Sequence, residues 1–192
     1  MVEPLDHVRR PFGGDTRSSA RSTERRQLLI RISAGSGAAL TQLAAFDTAL
    51  FAAGVGNYNL IRLSSVIPPR AVVRAVPATE QLRGTVGDVA YCVYAAAYAS
   101  TPGDEAWAGV AWALSTNHSG SGLFVEHTAS SESMVHRDLD ATIDAMSRTR
   151  GSQYRMAGRT VSSAVCVDRP VCAIVIATYG TSSWSDLLRP EA

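Results

Sequence analysis

The chain has 192 residues, of which 46% are hydrophobic, and its formal net charge is +1. This length and composition predict one globular domain with a core of its own, and a charge so near zero gives no sign of a nucleic-acid surface. No apolar run approaches the roughly eighteen residues that span a bilayer, so we expect neither a membrane anchor nor a membrane partner.

The termini and the cysteines indicate how the chain is organised. Residues 1–26 carry six arginines and four acidic residues but almost nothing to bury, which predicts a disordered tail. The tail also lacks the apolar stretch of a secretory signal. Three cysteines without a CxxC pair favour buried, reduced thiols in a cytoplasmic protein over disulfides or a metal site. We therefore expect a domain over residues 27–180 and a C-terminal extension over 181–192.

The first half of the domain contains a strand, a helix and a second extended segment. RQLLIRIS, residues 26–33, predicts the strand, and AGSGA after it predicts a loop. Apolar residues recur near helical spacing along residues 39–54, where a glycine closes the pattern, so we expect a helix there. NYNLIRLSSVIPP, residues 57–69, predicts extended chain that its two prolines stop.

The second half contains strands around one long helix. Residues 88–100 predict a long strand, and residues 105–115 alternate well enough for another, although their alanines leave a helix open. LFVEHTA, residues 123–129, predicts a return strand. Apolar residues at steps of four, four and three predict a helix over residues 133–148. TVSSAVCV and VCAIVIATYG flank residues 168–170 and predict a closing hairpin.

This succession of elements predicts the fold class. Runs of strands with two helices are typical of α+β domains. We therefore expect a single domain in which antiparallel-rich β-sheets form a sandwich covered by helices, an αββα-like arrangement.

The basic residues of the chain are all arginine: there are eighteen of them and no lysine. Without lysine, the protein cannot form the internal Schiff base that holds pyridoxal phosphate. If the protein carries out amine chemistry, its electron-withdrawing group must have another source.

Two adjacent serines, Ser64 and Ser65, stand between an apolar run and two prolines. Such pairs are usually solvated turn residues, and no nucleophile-elbow, dinucleotide or P-loop motif accompanies them. However, AFDTALFAAGVGNYNLIRLSSVIPP resembles the pyruvoyl-dependent arginine decarboxylases, which share its NLIRxSSxxPP core. STPGDE and GLFVEH extend the resemblance over roughly residues 27 to 180.

The resemblance implies that the precursor cleaves itself between Ser64 and Ser65. In that family the second serine attacks the preceding carbonyl, and elimination and hydrolysis then leave a pyruvoyl cofactor, which in this chain would come from Ser65. Ser64 keeps the new carboxylate. Asn59 matches the asparagine that stabilises the tetrahedral intermediate. A strained turn held by Pro68 and Pro69 would favour the acyl shift.

The resemblance also implies the substrate chemistry. The pyruvoyl group forms a Schiff base with a small-molecule amino acid, here L-arginine, and the products are agmatine and carbon dioxide. Glu126 matches the catalytic glutamate, and a carboxyl group among apolar strand residues is suited to donate a proton. Asp47 matches the acidic residue that pairs the guanidinium group.

One position departs from the family pattern and leaves the substrate open. Tyr58 stands where a smaller aliphatic residue is usual, and we expect it to line and alter the substrate pocket. Histidine or a modified arginine is then an alternative substrate, and an uncleaved scaffold or binding protein is an alternative of another class. The resemblance implies a homotrimer or a dimer of trimers, with active sites between neighbours.

Overall fold

The computed structural model describes residues 27–80, 82–117, 120–151 and 153–187. The predicted disordered tail lies outside these residues. The elements in chain order are β1 Leu29–Ala38, α1 Gln42–Ala52, β2 Asn59–Arg62, β3 Val66–Ile67, β4 Val72–Ala75, β5 Val89–Ala99, β6 Glu105–Ser115, β7 Gly122–Ala129, α2 Glu132–Thr149, β8 Tyr154–Val165, β9 Val171–Ser182 and α3 Trp184–Leu187. None of the helices in the described part of the chain is long and apolar enough to cross a membrane.

The strands form two sheets. The first has the order β2-β5-β9-β1-β4, and the second has the order β3-β7-β6-β8. The pairs β2–β5 and β1–β4, at the edges of the first sheet, are parallel. The other pairs are antiparallel, so the prediction of antiparallel-rich sheets is confirmed.

The sheets and the two long helices stack in four layers. α1 packs on the first sheet through Ala45 and Ala49, and α2 packs on the second through Val135 and Leu139. A third core, which includes Phe124, lies between the sheets. The predicted αββα arrangement is therefore confirmed.

The segment AGSGA, predicted as a loop, is instead the second half of β1. Its two glycines lie under α1. A Cβ on Gly35 would stand 2.5 Å from the backbone nitrogen of Ala53, and one on Gly37 would stand 2.7 Å from that of Ala49. These glycines therefore allow a helix to approach the strand closely and do not form a turn.

The predicted closing hairpin is also wrong. β8 pairs with β6 in the second sheet, whereas β9 pairs with β1 and β5 in the first. The backbone of Cys166 bonds to Gly103 and Asp104 at the turn between β5 and β6, so the chain ends β8 there and crosses to the other sheet. The burial of the two strands agrees with this arrangement, because β9 is buried along most of its length whereas residues of β8 are alternately exposed.

Candidate active site

The Ser64–Ser65 bond lies where the chain passes from one sheet to the other. Before it, β2 pairs with β5, and the Leu63 N–H continues that pairing by donating to the Cys92 carbonyl at 2.8 Å. After it, β3 pairs with β7 of the second sheet. The two serines are therefore anchored on both sides, by different layers of the sandwich.

The backbone of Ser65 is in the left-handed region, with φ = 66°. For a residue with a β-carbon, this conformation costs about 1 to 2 kcal/mol and persists only where the surroundings impose it. The Ser65 carbonyl accepts a 2.8 Å hydrogen bond from the Phe124 N–H of β7. Pro68 and Pro69 follow β3, as predicted, and the strain expected for the turn is present at Ser65 itself.

Glu126 of β7 lies directly beside this serine. The Ser65 hydroxyl donates to Glu126 Oε1 at 2.5 Å. Strand alternation places Phe124 and Glu126 on the face toward the first sheet. His127 faces the other way, as expected, and its Nε2 lies 2.7 Å from the Thr142 hydroxyl of α2. The structure therefore places the Glu126 carboxylate in contact with the hydroxyl of Ser65, a residue whose backbone is strained.

A pocket of about 430 Å³ opens next to Glu126. Its wall includes Arg62, Tyr94 and Tyr98. The Arg62 guanidinium carbon stands 5.0 Å from the centre of the Tyr94 ring, a cation–π distance. A pocket of this size and mixed polarity suits a small polar ligand. Arg62 lies inside the NLIR motif, yet no sequence pattern indicates that it lines a pocket.

Tyr179 of β9 approaches the same region from the first sheet. Its hydroxyl donates to the Val66 carbonyl at 2.9 Å, and its ring meets Phe124 edge-on with centres 5.9 Å apart. Burial, and then the nearby Glu126 carboxylate, raises the pKa of Tyr179. No motif points to this residue, and sequence reasoning missed it.

Asn59 lies away from the serine pair in the same chain. Its side-chain amide donates to the Gly87 carbonyl at 2.6 Å. The paired, extended chain from Asn59 to Leu63 spans about 13 Å at the usual rise of a strand. Within one protomer, the amide is therefore held far from the Ser64 carbonyl.

The two predicted substrate-binding residues also lie apart from the Ser65–Glu126 contact. Asp47 is exposed on α1, and among the described residues it contacts neither Ser65 nor Glu126. Tyr58 lines a different cleft of about 510 Å³. Its hydroxyl donates to the Leu82 carbonyl at 3.1 Å, and burial, followed by Asp88, raises its pKa.

The residues at the crossing, where the chain passes from β2 to β3 through Ser64 and Ser65, fit the formation of a pyruvoyl group from Ser65. A serine in an enforced left-handed conformation, bonded through its hydroxyl to a carboxylate, has a nucleophilic atom that is both oriented and next to a proton-accepting group. Within the ranges that the structure describes, no cluster of His, Cys, Asp and Glu could hold a metal ion.

Comparisons with known proteins agree with this chemistry. A family model described as pyruvoyl-dependent arginine decarboxylase matches residues 29–184. A relative of that name from Halobacterium salinarum is 37% identical over 155 residues, 80% of this chain and 94% of its own length. One from Thermococcus sibiricus is 31% identical over 158 residues, 80% of this chain and 93% of its own length. One from Methanocaldococcus jannaschii is 35% identical over 98 residues, 51% and 56% of the two chains.

Proposed function

The chain belongs to the pyruvoyl-dependent arginine decarboxylase family, and from this premise we propose that it makes its own cofactor and decarboxylates L-arginine to agmatine. The protein is a carboxy-lyase whose prosthetic group is a pyruvoyl in place of pyridoxal phosphate, which fits a chain without lysine. The observation that carries the proposal is the 2.5 Å hydrogen bond from the strained Ser65 to Glu126.

Self-processing begins at the Ser65 hydroxyl, which Glu126 orients. The hydroxyl oxygen attacks the Ser64 carbonyl carbon, the amide C–N bond breaks, and the hydroxyl proton ends on the Ser65 nitrogen. The ester that forms then loses the Ser65 Cα proton. The bond between the ester oxygen and the Ser65 Cβ breaks, which leaves the Ser64 carboxylate and a dehydroalanine at position 65. Water replaces the nitrogen, ammonia leaves, and a ketone remains at position 65. Backbone strain at Ser65 favours the first step because the acyl shift relieves it.

Glu126 also serves the decarboxylation step. A pyruvoyl group at position 65 would supply a ketone that can bind the substrate amino group covalently and withdraw electrons as carbon dioxide leaves. Glu126 stands beside position 65, so it can hold the proton that the substrate Cα then receives. The pocket next to Glu126 leaves room for the substrate on that side of the carboxylate.

We propose that Asp47 pairs the substrate guanidinium group. Asp47 is an exposed carboxylate with no ion pair among the described residues, so it is available to a ligand. A carboxylate can bind guanidinium through two parallel hydrogen bonds, which selects arginine over amino acids without that group. Tyr58, in the neighbouring cleft, is proposed to shape the same recognition region.

These roles require a second copy of the chain. Asn59, Asp47 and Tyr58 lie apart from Ser65 and Glu126 in one protomer, so we propose that a neighbour supplies them to each active site. Exposed apolar side chains on α1 offer a contact surface, since Leu43 is 77% exposed and Phe51 is 55% exposed. The assembly is proposed to be a homotrimer or a dimer of trimers, as the resemblance implies.

We also propose that the enzyme is cytoplasmic and that its catalytic domain lies close to residues 27–180. Cys92, Cys166 and Cys172 are free and buried, which fits the reducing cytoplasm. The family match over residues 29–184 supports a catalytic domain close to the predicted range of 27–180. The disorder of the Arg-rich tail stays a prediction.

A substrate screen tests the proposed activity. Purified protein is incubated with arginine, histidine, ornithine, lysine and aspartate, and the released carbon dioxide is measured together with agmatine. Ser65→Ala protein, which cannot process, is the matched control. We expect carbon dioxide and agmatine in equal amounts from arginine alone. Preferred decarboxylation of histidine or of an acidic amino acid would contradict the arginine assignment. If cleaved protein released no carbon dioxide from any of these amino acids, the proposed decarboxylase activity would be wrong.

A further inference from the structure

Tyr179 bridges the gap between the two sheets next to the bond that is proposed to break. It belongs to β9 of the first sheet, and its hydroxyl donates to the carbonyl of Val66 in β3 of the second. Val66 directly follows Ser65. The Tyr179 ring is half-buried and rests edge-on against Phe124, whose own N–H holds the Ser65 carbonyl.

Tyr179 lies at a β-bulge, and it follows Val175 and Ala177 on the face of β9 that points to the core between the sheets. In the ladder between β5 and β9, Tyr91 pairs with Gly180 and Cys92 pairs with Thr178, so Tyr179 has no partner. The ladder between β1 and β9 starts only at Thr178. Bulges redirect side chains and are common beside active sites. The first sheet therefore departs from regular pairing at the residue whose hydroxyl bonds to the Val66 carbonyl.

The segment after the Ser64–Ser65 bond is held by contacts from both sheets. On the β7 side, the Phe124 N–H binds the Ser65 carbonyl and Leu123 pairs with Val66. Tyr179 adds a bond from the opposite sheet. Because the left-handed Ser65 is unfavourable by itself, its conformation depends on how firmly its neighbours are held.

We propose that Tyr179 is a positioning residue for self-processing: its hydroxyl fixes the Val66 carbonyl and so keeps Ser65 in the left-handed conformation that presents Oγ to the Ser64 carbonyl. This inference rests on the proposed function. The same bond keeps position 65 beside Glu126 after cleavage, because Val66 stays attached to that residue.

The contact is suited to a permanent positioning role. A tyrosine hydroxyl is protonated and able to donate at neutral pH, and the raised pKa of Tyr179 extends that range to more alkaline pH. Tyr179→Phe removes that donor while keeping the ring on Phe124, so it isolates the hydroxyl from the packing. Tyr91→Phe is the matched control, because it removes another half-buried tyrosine hydroxyl of the same sheet, one that bonds to Ser182 at 3.1 Å.

The test times self-processing in newly made full-length chains. Labelled wild-type, Tyr179→Phe and Tyr91→Phe chains are made by cell-free synthesis, synthesis is stopped, and conversion into two chains is followed on denaturing gels. Ser65→Ala marks zero conversion. Each protein is timed at a temperature equally far below its own melting temperature, so that lost stability is not mistaken for lost positioning. A parallel reaction contains hydroxylamine, which cleaves the ester formed by the acyl shift.

We expect Tyr179→Phe to process about tenfold more slowly than wild type, the cost of one lost hydrogen bond that orients the reacting group. Tyr91→Phe should process at the wild-type rate, and hydroxylamine should not restore the rate of Tyr179→Phe. Equal slowing in both tyrosine variants, or processing of Tyr179→Phe within about twofold of wild type, would overturn the inference. So would full rescue by hydroxylamine, which would place the defect after the acyl shift. If wild type itself stays intact, the proposed function fails instead.

Discussion

The crossing between the sheets and the outer region around α1 and β2 are both assigned to the proposed site. Within the described part of one protomer, only the residues at the crossing contact one another. At the crossing, Ser65 and Glu126 already touch, and the surrounding bonds hold the serine in a strained conformation. In the outer region, Asn59 is bound to Gly87, and Asp47 faces solvent without an ion pair among the described residues.

The difference separates two tasks. Cleavage of the chain needs a serine, an adjacent carbonyl and a fixed geometry, and the crossing supplies these from residues close in sequence together with β7 and β9. Asn59 of the outer region is proposed to add stabilisation of the tetrahedral intermediate. Recognition of a long, charged amino acid needs groups several ångströms from the reacting carbon, and we propose that these come from the outer region of a neighbouring protomer. Substitutions at Ser65 and at Asp47 should therefore affect processing and substrate affinity separately.

The largest effect is expected for Ser65→Ala. Alanine has no hydroxyl for the acyl shift, so both processing and decarboxylation should be lost completely. A denaturing gel and carbon dioxide release measure the two. Ser64→Ala is the matched control and should still cleave, because the new carboxylate comes from the backbone of residue 64. Cleavage of the Ser65→Ala chain at this bond would show that another group attacks.

Glu126→Gln should separate the two reactions at the crossing. The glutamine oxygen can still accept the Ser65 hydrogen bond, so the chain should process. Glutamine has no acidic proton, and turnover should fall by about 10² to 10⁴, the usual loss for a general acid. The turnover number is measured on protein already shown to be cleaved. Near-normal turnover of cleaved protein would rule out Glu126 as the proton donor.

Asp47→Asn tests the outer region. Loss of a charge-assisted pair in a partly buried site costs on the order of 2 to 5 kcal/mol, so the Michaelis constant for arginine should rise sharply while self-cleavage continues. Steady-state kinetics on cleaved protein measure the change. An unchanged Michaelis constant would mean that Asp47 does not bind the guanidinium group.

Mixed assemblies of the Asp47→Asn and Ser65→Ala chains show whether the two regions come from different protomers. Such an assembly contains sites that join an intact Ser65 from one chain with an intact Asp47 from its neighbour. Activity at low arginine should therefore reappear when the two chains are made together. If each protomer built a whole site, the mixture would be no more active than Asp47→Asn alone.

The smallest expected effect is on the pH dependence of stability, and it comes from Cys92 and Cys172 in the core under α1. Burial raises the pKa of Cys92 to about 12, although the nearby Arg62 charge acts in the opposite direction. Burial also raises the pKa of Cys172 to about 11. Above pH 9 the unfolded chain loses protons that the folded chain keeps, so stability falls as pH rises, by up to about 1.4 kcal/mol per pH unit for each thiol.

Denaturant unfolding of wild type and Cys92→Ala between pH 7 and pH 10.5 measures this slope. The difference between the two proteins at pH 7 reports the lost packing, and its change with pH reports the thiol. The slope should be smaller for Cys92→Ala. Parallel curves for the two proteins would mean that Cys92 ionises alike in the folded and unfolded states.

Local patterns predicted most of the layers of this fold. The apolar steps of α2, the alternation along β6 and the strand-forming composition of β5 and β7 are properties of single segments, and they favour an αββα sandwich. The long NLIRxSSxxPP motif and the GLFVEH segment also led to the two partners of the 2.5 Å contact, Ser65 and Glu126 respectively. Residues whose roles depend on neighbouring sequence were therefore accessible without a structure.

Features that depend on distant pairing were not accessible. β9 pairs with β1 and β5 in place of β8 because the centre of the first sheet can bury a strand that is apolar along most of its length. Gly35 and Gly37 resemble turn residues until α1 is placed above them. Tyr179 reaches Val66 only because β9 lies opposite β3 in the folded chain, and no local pattern indicates that contact.

The intact mass of the purified wild-type protein under denaturing conditions shows whether the chain makes its own pyruvoyl group. We predict two chains in equal amounts, residues 1–64 ending in a free carboxylate and residues 65–192 beginning with a ketone that reacts with hydrazine. A single chain of 192 residues after prolonged incubation, without a hydrazine-reactive carbonyl, would contradict self-cleavage and favour an uncleaved scaffold or binding protein.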